Sequence, residues 1–334
     1  MKECLLDSRA HALTQWLATF FEAEPVLTLI SGDASFRRYF RFQANGSSWI
    51  AVDAPVLYED CRWFGEVAQA YQAQGLKVPQ VLQLDEQQGF MWLSDLGDEL
   101  LSQSLTGDNV GERYRAALKL LHPIRGVNAI NGTPLPSYDD AMLSFELSIF
   151  KEWLVEKTLA IELNNTQQQM LHDTFTKLTE MALEQPQVGV HRDYHSRNLM
   201  CVEDELAVID FQGCVNGPIT YDLVSLLRDC YVRWPNDLVT TLLQEQYQQL
   251  VCDGLVTVSW PEFERWFDWM GLQRHIKAAG IFCRLNLRDN KAGYLKDVPL
   301  TLTYLVDISA KYPEFAAFHE WLTSSVVPAW ERQS

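Results

Sequence analysis

The chain has 334 residues, 47% of them hydrophobic and 21% charged, with a formal net charge of −17. That length supports a large core and two lobes or domains, and the ordinary apolar content excludes disordered and membrane classes. The acidity excludes a nucleic-acid footprint, which needs a basic face, and suits either a soluble cytosolic protein or a cationic substrate. Seven cysteines without a Cys-x-x-Cys pair argue against a disulfide framework or zinc site. The opening Met1-Lys2-Glu3-Cys4 has no apolar signal core, and no apolar run reaches spanning length, so a cytoplasmic protein without membrane contact is expected.

Apolar residues at helical spacing (Leu13, Trp16, Leu17, Phe20) predict a helix over residues 8–21. A three-strand meander follows over 26–30, 36–42 and 49–52, with a small-residue loop at 31–35 and the hairpin signal Asn45-Gly46. Residues 60–74 read as a helix closed by Gly75, carrying Glu66 as a candidate to orient an arginine. Strands at 78–82 and 90–93 flank a turn, and a polar turn covers 94–97. Beyond Leu100 the pattern is helical over 111–122, 138–155 and 166–184, with a Gly- and Pro-rich break at 128–136. Residues 216–218 read as a loop, followed by helices over 221–231, 238–251 and 260–287. The cluster Trp260, Trp266, Phe267 and Trp269 is expected mainly as core.

The stretch Gly189 to Gln212 carries the chemistry. A short apolar strand ends on His191, Arg192 and Asp193, and Asn198 lies five residues after that Asp. The polar Glu203-Asp204-Glu205 turns the chain into a buried strand ending on Asp210. Phosphoryl transfer from ATP needs one carboxylate to orient the attacking hydroxyl and oxygen ligands to hold magnesium on the phosphates. Asp193 suits the first task; Asn198 and Asp210 suit the second. A lone Asp after a strand is ordinarily a turn former or cap. The joint pattern His-x-Asp-x-x-x-x-Asn, strand, Ile-Asp-Phe points to ATP and Mg²⁺ as cofactors.

His195 stands two residues after Asp193, where protein kinases carry Lys, and in this the loop resembles the aminoglycoside phosphotransferase-like kinases. The stretches Gly32 to Arg41, Gly217 to Asp229 and Gly280 to Asp289 resemble, more narrowly, the bacterial anomeric kinases of N-acetylmuramate and N-acetylglucosamine in cell-wall peptidoglycan recycling. The resemblance implies an α+β, two-lobed protein-kinase-like fold, with a small antiparallel β-rich N-lobe for nucleotide (1–97) and a mainly helical C-lobe for catalysis and substrate (98–334). It implies that Ser31, Gly32 and Ser35 cover the ATP phosphates and that backbone around Ser94 and Leu96 meets adenine. It also implies that His191 and Asp222 brace the catalytic loop. His195, Arg197, Arg284, Asn286 and Arg288 are candidates for the substrate, the two late arginines sharing a helix face suited to an anion. The family's pattern is broken at the third strand, Trp49-Ile50-Ala51-Val52-Asp53, which has no Lys. Arg38 or Arg41 is expected to replace it, since guanidinium forks bind phosphate well.

The expected protein is therefore a monomeric ATP-dependent kinase of a small amino sugar, with the anomeric hydroxyl as acceptor and Asp193 as base. Rivals are a phosphotransferase of an aminoglycoside, choline-like amine or other small alcohol, and a nucleotide-sensing pseudokinase. A protein Ser/Thr kinase is disfavoured because Gln212 leads within a few residues to Gly217-Pro218, leaving no activation segment.

Overall fold

The computed structural model describes residues 2–32 and 36–333. Ser35 lies outside the described residues, as does the side chain of Ser31. The chain forms two compact units: Met1–Ser104 with Ala129–Thr133 and Arg197–Gln212, and the remainder. Among the described residues no helix is long and apolar enough to cross a membrane.

The first unit is built on an antiparallel sheet. Helix α1 (Lys2–Ala18) precedes β1 (Thr28–Gly32), β2 (Arg38–Ala44) and β3 (Ser47–Asp53), the expected meander. The β2–β3 turn puts Asn45 and Gly46 at positive φ, the conformation an Asn-Gly hairpin supplies. Helix α2 (Cys61–Ala73) starts where Asp60 accepts from Trp63 N at 3.0 Å; β4 (Val81–Asp85) and β5 (Phe90–Ser94) complete the order β1-β2-β3-β5-β4. The strand expected at residue 78 begins only at Val81, because Pro79 has no N–H for a ladder. Leu13 and Leu17 of α1 are buried against Phe40, Phe42, Ala51 and Phe90, each such side chain contributing about 1.5–3 kcal/mol. Arg9, on the same helix, bonds Asp53 at the end of β3. The hairpin Leu199–Val202/Glu205–Val208 also belongs to this unit, Val208 N donating to Lys77 O at 2.8 Å.

The second unit is mainly helical, with helices Val110–Gly126, Asp140–Ile149, Asn165–Glu184, Asn236–Cys252 and Trp260–Asp289. Residues 216–218 are not a loop. Strand Val215–Pro218 pairs antiparallel with Gln187–Val190, Pro218 closing the ladder's end where a missing donor is tolerated. The helix expected to Tyr231 stops at Leu227, where Asp229 is drawn aside to bond Ser196. The helix expected to run through Val155 changes at Phe150 into a π-helical segment, Phe150–Thr158. Trp266, Phe267 and Trp269 are core, as expected. Helix Val298–Ser309 and the short helical turns after it lie in a stretch whose periodicity the sequence analysis left unread.

Candidate active site

The functional residues divide between the two units. In the second, Gly189 lies so close to the end of helix Val110–Gly126 that a Cβ would come within 2.2 Å of Val127 O. This fixes the strand that delivers His191, Arg192 and Asp193. Arg192 has φ +78, a conformation costing a non-glycine residue about 1–3 kcal/mol and held only where neighbours over-determine it. The holding group is Asp222, whose carboxylate accepts His191 N at 2.7 Å and Arg192 N at 3.0 Å. Beyond Asp193 a second carboxylate repeats the device: Asp229 accepts both the N–H and the hydroxyl of Ser196, at 3.0 and 2.5 Å. The loop bearing Asp193 is thus clamped on either side by buried acids from one short stretch of chain.

Burial alone would raise the Asp193 pKa, but Lys277, His195, Arg192 and Arg274 outweigh it and hold the carboxyl below its usual range. His195 itself is pushed down to about 4, first by burial and then by Arg274, against the opposing Asp229. Near pH 7 it is a neutral imidazole, its ring edge-on to Tyr231, so the lasting positive field on Asp193 comes from the lysine and arginines. Arg192 also ion-pairs Glu146, which is 1% exposed, accepts from Tyr138 and meets Lys277 at 2.9 Å. Glu146, Lys277, Arg274 and Asp229 were absent from the sequence-derived site.

In the first unit Asp210 lies two residues beyond the strand Glu205–Val208, at φ +62. Asn198 Nδ2 lies 3.3 Å from Asp210 Oδ2, and Gln212 Nε2 donates to Oδ1 at 2.6 Å. Trp63 Nε1 bonds Gln212 O at 2.9 Å, while Phe211 packs on Phe64 and Tyr71, so α2 pins this turn. The side-chain oxygen of Gln212 is buried without a hydrogen-bond partner. One carboxylate, one amide and this orphaned oxygen form a hard-oxygen set. Oxygen donors of this kind suit Mg²⁺, an ion that takes one or two carboxylates and leaves the rest to phosphate and water; among the described residues no three His, Cys, Asp or Glu side chains cluster.

The remaining candidates are dispersed. Arg38 is the register neighbour of Gly32 and of Asp53, with which it ion-pairs. Arg41 forks onto Asp95 and reaches Asp98 and Gly97 O, which ties it to the Ser94–Gly97 turn. Ser94 N donates to Gln80 O and its hydroxyl accepts Gln80 N; Leu96 is half-buried. Glu66 pairs with the exposed Arg62 on its own helix. Arg197 sits in the 3₁₀ turn Ser196–Asn198. Arg284 is half-buried with its Nε unbonded and lies in the field of Glu146. Arg288 pairs with the adjacent Asp289 and is exposed, and its charge reaches Arg284, whose pKa burial and then Arg288 lower; Asn286, two residues from Arg284, faces elsewhere on the helix.

Residues 26–257 match the profile of the phosphotransferase enzyme family. An N-acetylmuramate/N-acetylglucosamine kinase from Pseudomonas aeruginosa is 39% identical over 330 residues, covering 95% of this chain and 97% of the relative. One of the same name from Neisseria meningitidis is 39% identical over 325 residues, covering 95% and 96%. Among solved structures, a thermostable mutant of aminoglycoside phosphotransferase APH(4)-Ia with ADP and hygromycin B aligns at a TM-score of 0.58 and 14% identity, over 88% of this chain and 97% of that one. The likeness at that identity is one of fold, the two-lobed kinase-like α+β architecture.

Proposed function

The chain belongs to the phosphotransferase enzyme family and is an ATP-dependent phosphotransferase, and we propose that its acceptor is the anomeric hydroxyl of N-acetylmuramate or N-acetylglucosamine, in peptidoglycan recycling. The observation that carries the chemistry is the doubly clamped, ionised Asp193. Its carboxylate accepts the proton of the sugar hydroxyl as that oxygen bonds to the γ-phosphorus and ADP departs. Asn198, Asp210 and Gln212 are the residues that would hold Mg²⁺, which when bound neutralises charge on the phosphates. The N-acetylated acceptor rests on the relatives' shared name across nearly the whole chain.

The charges near Asp193 are of both signs. Lys277, Arg192 and Arg274 lie in its field, but Glu146 pairs two of them and Asp222 and Asp229 are buried beside the loop, so the choice of an acetylated sugar over a cationic acceptor rests on the relatives' shared name. Of the two arginines expected to replace the strand lysine, Arg38, beside Gly32, is the candidate for the phosphates. The test is ADP release with ATP and Mg²⁺ in the presence of N-acetylmuramate, N-acetylglucosamine, an aminoglycoside or choline. Turnover with the acetylated sugars and background rates with both cations are expected. Turnover confined to a cationic acceptor would overturn the assignment while leaving the phosphotransferase.

A further inference from the structure

The catalytic loop places one cation, Arg192, next to the base; the residue two after Asp193, His195, is neutral near pH 7 and supplies no second. The long helix Trp260–Asp289 brings one from a distant part of the chain. Lys277 Nζ lies 2.9 Å from Glu146 Oε1 and donates to Tyr221 Oη at 3.0 Å. Both partners lead to the loop: Glu146 also ion-pairs Arg192, the residue before Asp193, and Tyr221 adjoins Asp222, which holds the Arg192 N–H. Its depth is set one turn later, where a Cβ on Gly280 would lie 2.6 Å from Phe150 N. The helix therefore rests backbone to backbone on the junction between helix Asp140–Ile149 and the π-helical segment. Two of the three ammonium protons have partners among the described residues, which leaves donor capacity on a side chain 8% exposed.

We propose that Lys277 is an electrostatic positioning residue for phosphoryl transfer, supplying from the long helix a second positive charge near Asp193 beyond that of Arg192. Its charge offsets the negative charge gathered when Asp193, the acceptor oxygen and the γ-phosphoryl group come together, an effect strongest where water is excluded. Its anionic surroundings keep the lysine ionised: burial lowers its pKa, and Glu146, Tyr221 and Asp193 together more than restore it. The role is confined to the transfer step, so it is read in kcat and not in ATP binding. It rests on Asp193 being the base but not on which acceptor is used.

The experiment compares wild type, Lys277→Met, Lys277→Arg, Glu146→Gln and the double variant Glu146→Gln/Lys277→Met, with thermal unfolding as the fold check. The acceptor is whichever the wild type phosphorylates, so a failure of the sugar assignment shows in the wild type alone. Lys277→Met is expected to lower kcat about a hundredfold while KM for ATP stays within about threefold, with Lys277→Arg recovering at least about a tenth of the wild-type kcat. If Lys277→Met does not fold, the double variant, which removes one charge of each sign, is set against Glu146→Gln; it should be at least about tenfold slower. A Lys277→Met enzyme within about threefold of wild-type kcat, Met and Arg variants of equal rate, or a double variant as fast as Glu146→Gln would each overturn the role.

Discussion

The surroundings of Asp193 and the ion pairs of the β-rich unit solve the problem of placing charges in opposite ways. Around Asp193 the acids Asp222, Asp229 and Glu146 are at most 5% exposed, and each accepts from two or more groups, several of them backbone N–H. They hold Arg192 in a backbone conformation it would not choose. In the β-rich unit the pairs are as buried, Arg38–Asp53 being 19% and 1% exposed beside Arg192–Glu146 at 25% and 2%. But Asp53 holds the side chains of Arg9 and Arg38 and fixes no strained backbone. The difference teaches that the buried acids around Asp193 fix backbone geometry, while Asp53 of the β-rich unit joins side chains.

That contrast can be broken at its strong end first. Asp193→Asn should lower transfer by about 10³-fold or more with ATP affinity nearly unchanged, read by single-turnover kinetics and calorimetry. Asp222→Ala leaves the His191 and Arg192 N–H groups without their acceptor; it should cost about 2–5 kcal/mol in urea unfolding and slow transfer as the loop relaxes. A pH series sharpens the point. Burial and Arg274 push His275 down to about 3, so below the unfolded value of about 6.5 the unfolded chain takes up a proton that the folded chain refuses. Stability attributable to this residue is intact above that pH and falls as pH drops toward 3. His275→Gln should flatten the fall in the free energy of urea unfolding by more than about 1 kcal/mol. The smallest effects belong to the β-rich unit. Arg38→Ala should raise KM for ATP about tenfold and Arg41→Ala less than about threefold, by steady-state kinetics; the reverse order would move the phosphate contact to the Ser94–Gly97 turn.

What could be read in advance follows the range of the interactions. The meander was legible because alternation and Asn45-Gly46 are local signals, and Asp193, Asn198 and Asp210 because a loop and a hairpin set their spacing. The groups that govern Asp193 were not. Glu146 lies 46 residues from its partner Arg192, and Lys277 lies 56 from Tyr221. On their helices they read as ordinary charged positions, with no periodic mark of burial. Strand Val215–Pro218 was hidden by Gly217 and Pro218, which signal a turn unless a partner strand is present. Gln212 was missed for a different reason: nothing near it in sequence distinguishes a polar residue after Ile-Asp-Phe from a solvated one.

The most direct measurement of the central claim is ³¹P NMR of wild type and Asp193→Asn with ATP, Mg²⁺ and N-acetylmuramate or N-acetylglucosamine. The account predicts a sugar-phosphate resonance coupled to the anomeric proton with the wild type and none above background with the variant. A phosphate on another hydroxyl, or comparable product from Asp193→Asn, would contradict it.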